Sequence, residues 1–376
     1  MGGAENVLLV LHDLFPEAPV YTSIYAPDLV HPGFRRMDIR TTFMQRLPLV
    51  HTHHQPFLPI FPFAFESLDL SEYDVVLSVS SAWSKNVVTR PETCHVNYCL
   101  TPMRFAWSFE EYAKREGLSD WQRNLLLPVI AGLRLWDSNG ANRVDAFAGI
   151  STTVARRIEK YYRRQADVIY PPVDTSAFAY DGGGTADDGY FLVVSRLIPY
   201  KRIDLAIEGC KVAHVPLKVL GAGRDRERLE RLATGRGADV EFLGYVDDAT
   251  KRHYLQRCRG FIFPAEEDFG IGPLEATAAG RPVVAYGAGG ALDTVIEGET
   301  GVLFQPQTPD ALAAALERVE STRWDRARIA AHAATFSVPA FKSRLKDFIE
   351  RSVATHRTRA SKTPTATPTA ISAARK

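Results

Sequence analysis

Phe263-Pro264-Ala265-Glu266-Glu267-Asp268-Phe269-Gly270-Ile271-Gly272-Pro273-Leu274-Glu275 carries two glutamates, Glu267 and Glu275, with seven residues between them. An apolar run from Gly260 to Phe263 leads into it, and a helix-like run from Pro273 to Ala279 leads out. Strand, polar glycine-rich loop and helix is how α/β proteins hold phosphorylated ligands, because backbone N–H groups at the helix start face the anion. The carboxylates are placed to accept hydrogen bonds from hydroxyl groups. A diphosphate together with hydroxyls describes a nucleotide sugar.

Working outward, short runs rich in β-branched and aromatic residues recur on both sides. They are Tyr190 to Ser195, Leu217 to Leu220, Val240 to Leu243, Pro282 to Tyr286 and Gly301 to Phe304. Helical patterns separate them: Ile203 to Val212, Arg224 to Ala233 and Ala249 to Arg257. This alternation predicts a doubly wound parallel sheet that binds its ligand at the carboxyl ends of the strands. In the first half, Tyr21 to Tyr25, Val75 to Ser80, His95 to Leu100 and Val144 to Ile150 read as buried strands. Glu5 to Phe15, Phe105 to Arg115 and Trp121 to Arg134 read as helices, so a second α/β domain is expected. Pro171-Pro172 and Gly182-Gly183-Gly184 punctuate the connection between the two. The expected division is 1–170, 171–335, a helix over 336–354 returning to the first domain, and a disordered tail over 355–376, which lacks apolar periodicity.

The totals bound the function. A length of 376 residues predicts roughly two to three domains. A net charge of +1 argues against a dedicated nucleic-acid binder. Cys94, Cys99, Cys210 and Cys258 form no CxxC pair, so neither a disulfide framework nor a structural zinc motif is expected, and a reducing cytoplasm fits. No apolar run approaches the roughly 20 residues of a spanning helix.

Several clusters are candidates for the chemistry. Arg196 and Lys201, at the end of a strand, are two cations that converge on one diphosphate when the loop between them folds back. The alternative is a solvated basic loop, at a small cost because cations oppose the dipole of a helix start. For Glu275 there is a structural alternative: with Pro273 at the first helical position it completes a capping box. That does not account for Glu266, Glu267 and Asp268 crowded before the turn. Gly221 and Gly223 follow a strand and either approach the nucleotide or make a tight turn. Tyr245 and Val246 follow another strand, where a base can stack or meet backbone. Gly287 to Gly290 offers N–H groups to phosphate or sugar. Gly2 and Gly3 precede a helix and face a phosphate, or are only a terminus. His51, His53 and His54 lack an acid partner, so no metal site is expected. Phe34 to Phe65 mixes Arg35, Arg36, Arg40 and Arg46 with aromatics, in keeping with a solvated face or with peripheral contact to a lipid-linked acceptor.

On Glu267/Glu275, Ser195-Arg196-Leu197 with Lys201, and the Gly289-Gly290 loop, the chain resembles the retaining glycosyltransferases of family 4, from Gly2 to about Ile349. The segment from Phe269 through Leu292 is particularly similar to bacterial mannosyltransferases of O-antigen and exopolysaccharide synthesis. The resemblance implies the GT-B fold, two Rossmann-like domains facing a cleft, and GDP-mannose as donor. It implies that Arg196 and Lys201 hold the diphosphate, Glu267 the donor sugar and Glu275 the ribose, with Gly270 and Ile271 offering N–H groups. No metal or other cofactor is implied. The partners would be the nucleotide-sugar donor and a glycan or lipid-linked acceptor, in the cytoplasm or on the inner membrane face. Two departures stand out. Relatives usually have a strand before Gly2-Gly3, and usually have histidine where this chain has Leu100. A donor-binding protein without transfer activity and a nucleotide-sugar epimerase of the same fold are the other readings.

Overall fold

Central strands buried on both faces, flanked by half-buried edge strands, build the molecule. In the computed structural model, residues 3–51, 55–180, 182 and 187–362 are described. The chain opens with helix α1 (Gly3–Leu14), followed by strands β1 (Val20–Thr22) and β2 (Ile39–Thr41). After helix α2 (Phe61–Glu66) come β3 (Val75–Ser80), β4 (Cys94–Cys99), three helices, α3 (Arg104–Trp107), α4 (Phe109–Glu116) and α5 (Asp120–Gly140), then β5 (Ala146–Gly149), α6 (Thr152–Tyr162) and β6 (Ala166–Val168). β3-β4-β5-β6 form one parallel sheet, and β1-β2 pair in a separate parallel one. Tyr21 and Tyr73 bridge the two sheets through their hydroxyls at 3.0 Å. β4 is buried at every position, and its polar residues His95 and Asn97 each hydrogen-bond to Ser78 of β3 at 2.8 Å.

The second half follows the expected alternation closely. β7 (Phe191–Val194), α7 (Ile203–Val212), β8 (Leu217–Leu220), α8 (Arg226–Arg236), β9 (Val240–Gly244) and α9 (Asp248–Arg257) complete one wing. β10 (Gly260–Phe263), α10 (Ile271–Ala278), β11 (Val283–Tyr286), α11 (Ala291–Thr294), β12 (Gly301–Phe304) and α12 (Pro309–Ser321) complete the other. Strand order is β12-β11-β10-β7-β8-β9, all parallel. The order reverses between β7 and β10, and such a reversal opens a crevice at the strands' carboxyl ends. Both strands lead into candidate loops, β7 into Arg196 and β10 into Glu267.

α13 (Arg326–Ala333) ends the second sheet's cover, and α14 (Val338–Lys362) returns to the first sheet. Phe341, Leu345 and Phe348 of α14 lie in the same apolar core as Tyr98 and Phe147, and Phe341 meets the Tyr98 ring at 5.6 Å. The two crossings between the sheets run side by side: Val173 N–H donates to the Phe336 carbonyl at 3.0 Å, and Val173 bridges Ser337.

The structure corrects several sequence expectations. The run Tyr21 to Tyr25 is a strand only over Val20–Thr22, half-buried in its small sheet. The helix expected over Phe105 to Arg115 is broken at Ser108, whose φ of −115° and ψ of 45° are not helical. The next helix is longer than expected because a Ser119/Gln122 capping box starts it at Asp120 and it continues to Gly140. The tail expected to be disordered from 355 is helical to Lys362. Once a helix is nucleated, each further residue adds a hydrogen bond at little cost, and His356 is held at 3.2 Å from Asp145. Residues 363–376 lie outside the described residues, as do Gly2, His53, His54, Gly183 and Gly184. Among the described residues the first element is a helix, and β1 and β3 each pair on one edge only.

Candidate active site

The carboxyl ends of β7 and β10 face α1 and the β4–α3 loop across a cavity of about 900 Å³. That volume suits a ligand the size of a nucleotide sugar. Gly3, Leu100, Arg104 and Ile150 line it from one side; Arg196, Lys201, Glu267, Asp268, Gly270 and Ile271 line it from the other. Six of the candidate residues, Arg196, Lys201, Glu267, Gly270, Ile271 and Gly3, thus share one cleft.

The switch point explains why Lys201 and Glu267 meet although 66 residues separate them: β7 and β10 are neighbours, so their loops are too. Lys201 donates directly to Glu267, and both side chains are largely buried, 13% and 21% exposed. The Glu267 loop is held from behind. Gly290 N–H donates to the Glu267 carbonyl at 2.8 Å, and Gln307 donates to the Pro264 carbonyl at 2.8 Å. A Cβ at Gly290 would lie 2.3 Å from the Phe269 backbone, so only glycine permits this approach. The Gly289-Gly290 turn therefore supports the loop. Arg196 is exposed toward the cavity, its guanidinium 3.4 Å from the Tyr200 hydroxyl.

α10 begins at Ile271, with Gly270 as N-cap and no side-chain cap. The helix starts two residues before the expected Pro273, which corrects the capping-box alternative for Glu275. Glu275 falls at the fifth helical position, beyond reach of the N-cap. It accepts instead from Lys251 of α9 at 2.9 Å. Burial raises its carboxyl above the ordinary value, and the Lys251 charge opposes that rise. α1 points its own first turn at the same cavity, and a Cβ at Gly3 would touch Ile271 at 3.3 Å. Two helix starts therefore converge on the cavity, each with a partial positive charge.

Asp268 carries an interaction that sequence reading missed. It accepts from Arg104 at 2.7 Å and from Arg157, both on the other side of the cleft. Burial works against the charge of Arg104, but Asp268 beside it holds the guanidinium above its ordinary value. Arg104 lines the cavity as a third cation. A pairing across 164 residues leaves no local spacing to read. A second polar contact joins the same faces: Asp293 accepts from the Thr152 hydroxyl at 3.0 Å and the Tyr170 hydroxyl at 3.3 Å.

Other candidates lie outside the cavity lining. Gly221 and Gly223 are explained by close packing: added Cβ atoms would stand 1.8 Å from the Ser195 carbonyl oxygen and 2.2 Å from that of Leu197. They let the β7 and β8 loops pass and do not line the cavity. Tyr245 is 87% exposed, and Val246 packs on the second domain's core. Glu275 is not among the residues that line the cavity; on α10 it pairs with Lys251 of α9. His51 is exposed.

Two parallel-sheet α/β domains across a cleft, with the site at a strand-order switch, define the GT-B architecture. The crystal structure of HepE from Anabaena, in complex with UDP, has the same fold: TM-score 0.65, over 93% of this chain and 96% of that one, at 20% identity. Residues 182–336 match the family model of the glycosyl transferases group 1, so the carboxyl-terminal domain is a group 1 glycosyltransferase domain. The chain is 28% identical over 140 residues to O-antigen chain mannosyltransferase C of Escherichia coli, covering 36% of this chain and 38% of that protein. It is 31% identical over 171 residues to a GDP-mannose-dependent alpha-(1-6)-phosphatidylinositol monomannoside mannosyltransferase of Mycolicibacterium smegmatis, covering 39% and 44%. The chain spans less than half the length of these curated relatives.

Proposed function

We propose that the chain is a retaining glycosyltransferase that moves mannose from GDP-mannose to a polysaccharide or lipid-linked oligosaccharide acceptor. The observation that carries this is the meeting of Lys201 and Glu267 beside Arg196 and two helix starts in one interdomain cavity. The choice of mannose rests on the similarity to the two mannosyltransferases. In this reading Arg196 and Lys201 hold the donor diphosphate and neutralise it as it leaves, so the transfer needs no metal ion. Glu267 holds hydroxyls of the donor sugar. Gly270 and Ile271 contribute N–H groups. Lys201 and Glu267 neutralise each other before donor arrives; the diphosphate then competes for Lys201 and leaves Glu267 to the sugar. Catalysis is positioning and electrostatic stabilisation, with a donor phosphate oxygen taking the acceptor's proton during front-side attack.

The proposed setting is the cytoplasm, at the inner membrane face when the acceptor is lipid-linked. All four cysteines are free and buried, which suits a reducing compartment. No helix among the described residues is long and apolar enough to cross a membrane. Leu100 lines the cavity where the resembling enzymes carry histidine, which favours a second reading: donor binding without transfer.

A donor screen separates these. GDP-mannose should raise the melting temperature more than UDP-glucose or UDP-galactose, and should release GDP only when a lipid-linked glycan acceptor is added. Stabilisation by UDP-sugars alone would overturn the donor. Turnover of donor without acceptor would support an epimerase, and binding without release across acceptors a binding protein.

A further inference from the structure

Away from the cleft, at the amino ends of β4 and β5, three side chains of different ligand chemistry meet. Cys94 opens β4, Asp145 precedes β5, and His356 comes from α14. One ligand atom from each lies within 4.8 Å of the other two. His356 Nδ1 stands 3.2 Å from Asp145 Oδ1, and nitrogen and oxygen ligands of one tetrahedral zinc ion are about 3.3 Å apart. The sulfur closes the triangle with a movement of roughly 1 Å, since Zn–S bonds are about 2.3 Å long.

Two further observations fit a ligand there. Asp145 is already oriented, its Oδ2 accepting the His95 N–H at 2.8 Å, as outer contacts orient a metal ligand. Asp145 and His356 also line a hollow of about 210 Å³, with room for a water in a fourth position. Asp167 and Arg351 on its rim pair with each other at 2.9 Å, so neither charge is uncompensated there.

We propose that Cys94, Asp145 and His356 form a zinc site that pins the C-terminal helix to the first sheet. A thiolate, an imidazole and a carboxylate form a donor set for zinc and for cobalt(II), and too soft a set for magnesium or calcium. On binding, the Cys94 thiol releases its proton to solvent and its sulfur takes the metal. The site is structural: Cys94 and Asp145 stand at the strand ends opposite the cavity, which Leu100 and Ile150 border. It therefore does not depend on the proposed transfer reaction. Sequence reading could not find it, because its ligands are 51 and 211 residues apart and form no spaced motif.

Cobalt(II) titrated into the metal-depleted full chain tests it. One equivalent should give a thiolate-to-cobalt charge-transfer band, and zinc should abolish that band. Cys94→Ser and His356→Ala should each lose it, while Cys258→Ser, in the other domain, should keep it. Zinc should raise the melting temperature of the wild type and leave that of His356→Ala unmoved. The absence of a band in the wild type overturns the proposal, and so does a band that survives in His356→Ala. If Cys94→Ser does not fold, His356→Ala decides alone.

Discussion

Glu267 and Glu275 began as a matched pair and end with different physics. Glu267 faces the cavity and touches Lys201, whereas Glu275, on α10, is half-buried against Lys251 of α9. Glu267→Ala should lower kcat by about 100-fold or more, the scale of removing one group that acts on the transition state. Its fold should survive, with a lowered melting temperature because the largely buried Lys201 loses its partner. Transfer at the wild-type rate would remove Glu267 from the site. Glu275 makes a prediction about pH. Its folded-state carboxyl is raised, so the native protein holds that proton to higher pH than the unfolded chain does. Stability therefore falls as pH rises from the ordinary carboxylate value through the raised one. Glu275→Gln cannot titrate, and melting temperatures measured between about pH 4 and pH 7 should show that falling contribution gone. An unchanged pH profile would mean that burial does not raise the carboxyl.

At the scale of elements, β7, β10 and their loops were legible because strands buried on both faces are continuous apolar runs bounded by polar turns. The cleft followed from strand order, which alternation implies. What stayed hidden was the start of α10, because Gly270-Ile271-Gly272 looks like loop and takes a helical turn only where it packs against the first domain's core. Hidden too was the bridge from Asp268 to Arg104 and Arg157, since charges that meet across a cleft have no sequence spacing. Asp268→Asn leaves both arginines without a carboxylate while keeping the shape of the side chain. Donor KM should rise about tenfold, equivalent to about 1.4 kcal/mol, with a smaller change in kcat. Small-angle scattering should show a more open cleft. An unaltered KM together with an unaltered scattering curve would reduce this bridge to a surface ornament.

For the whole molecule, the length and alternation pointed to two α/β domains, and the resemblance pointed to their arrangement. The reach of α14 was read short, because Thr355 to Lys362 has little apolar periodicity of its own and extends a helix already anchored by Phe341, Leu345 and Phe348. Ending the chain after Ser337 exposes those three side chains' partners in the first domain. Each buried large apolar side chain contributes about 1.5–3 kcal/mol, so the first domain should lose most of its stability while the second keeps its own. Calorimetry should then show one unfolding transition in place of two, and two intact transitions would refute the anchoring role of α14.

The paired crossings at Val173 and Phe336 also set how the molecule can move. A single linker would let the domains swivel about it in any direction. Two chain segments tied by the Val173–Phe336 hydrogen bond resist twisting and sliding more than one linker would, and leave bending across their common line as the softer motion. Such a constraint favours movement of the cavity mouth along one path, with the Arg104–Asp268 pair as the contact that closes it.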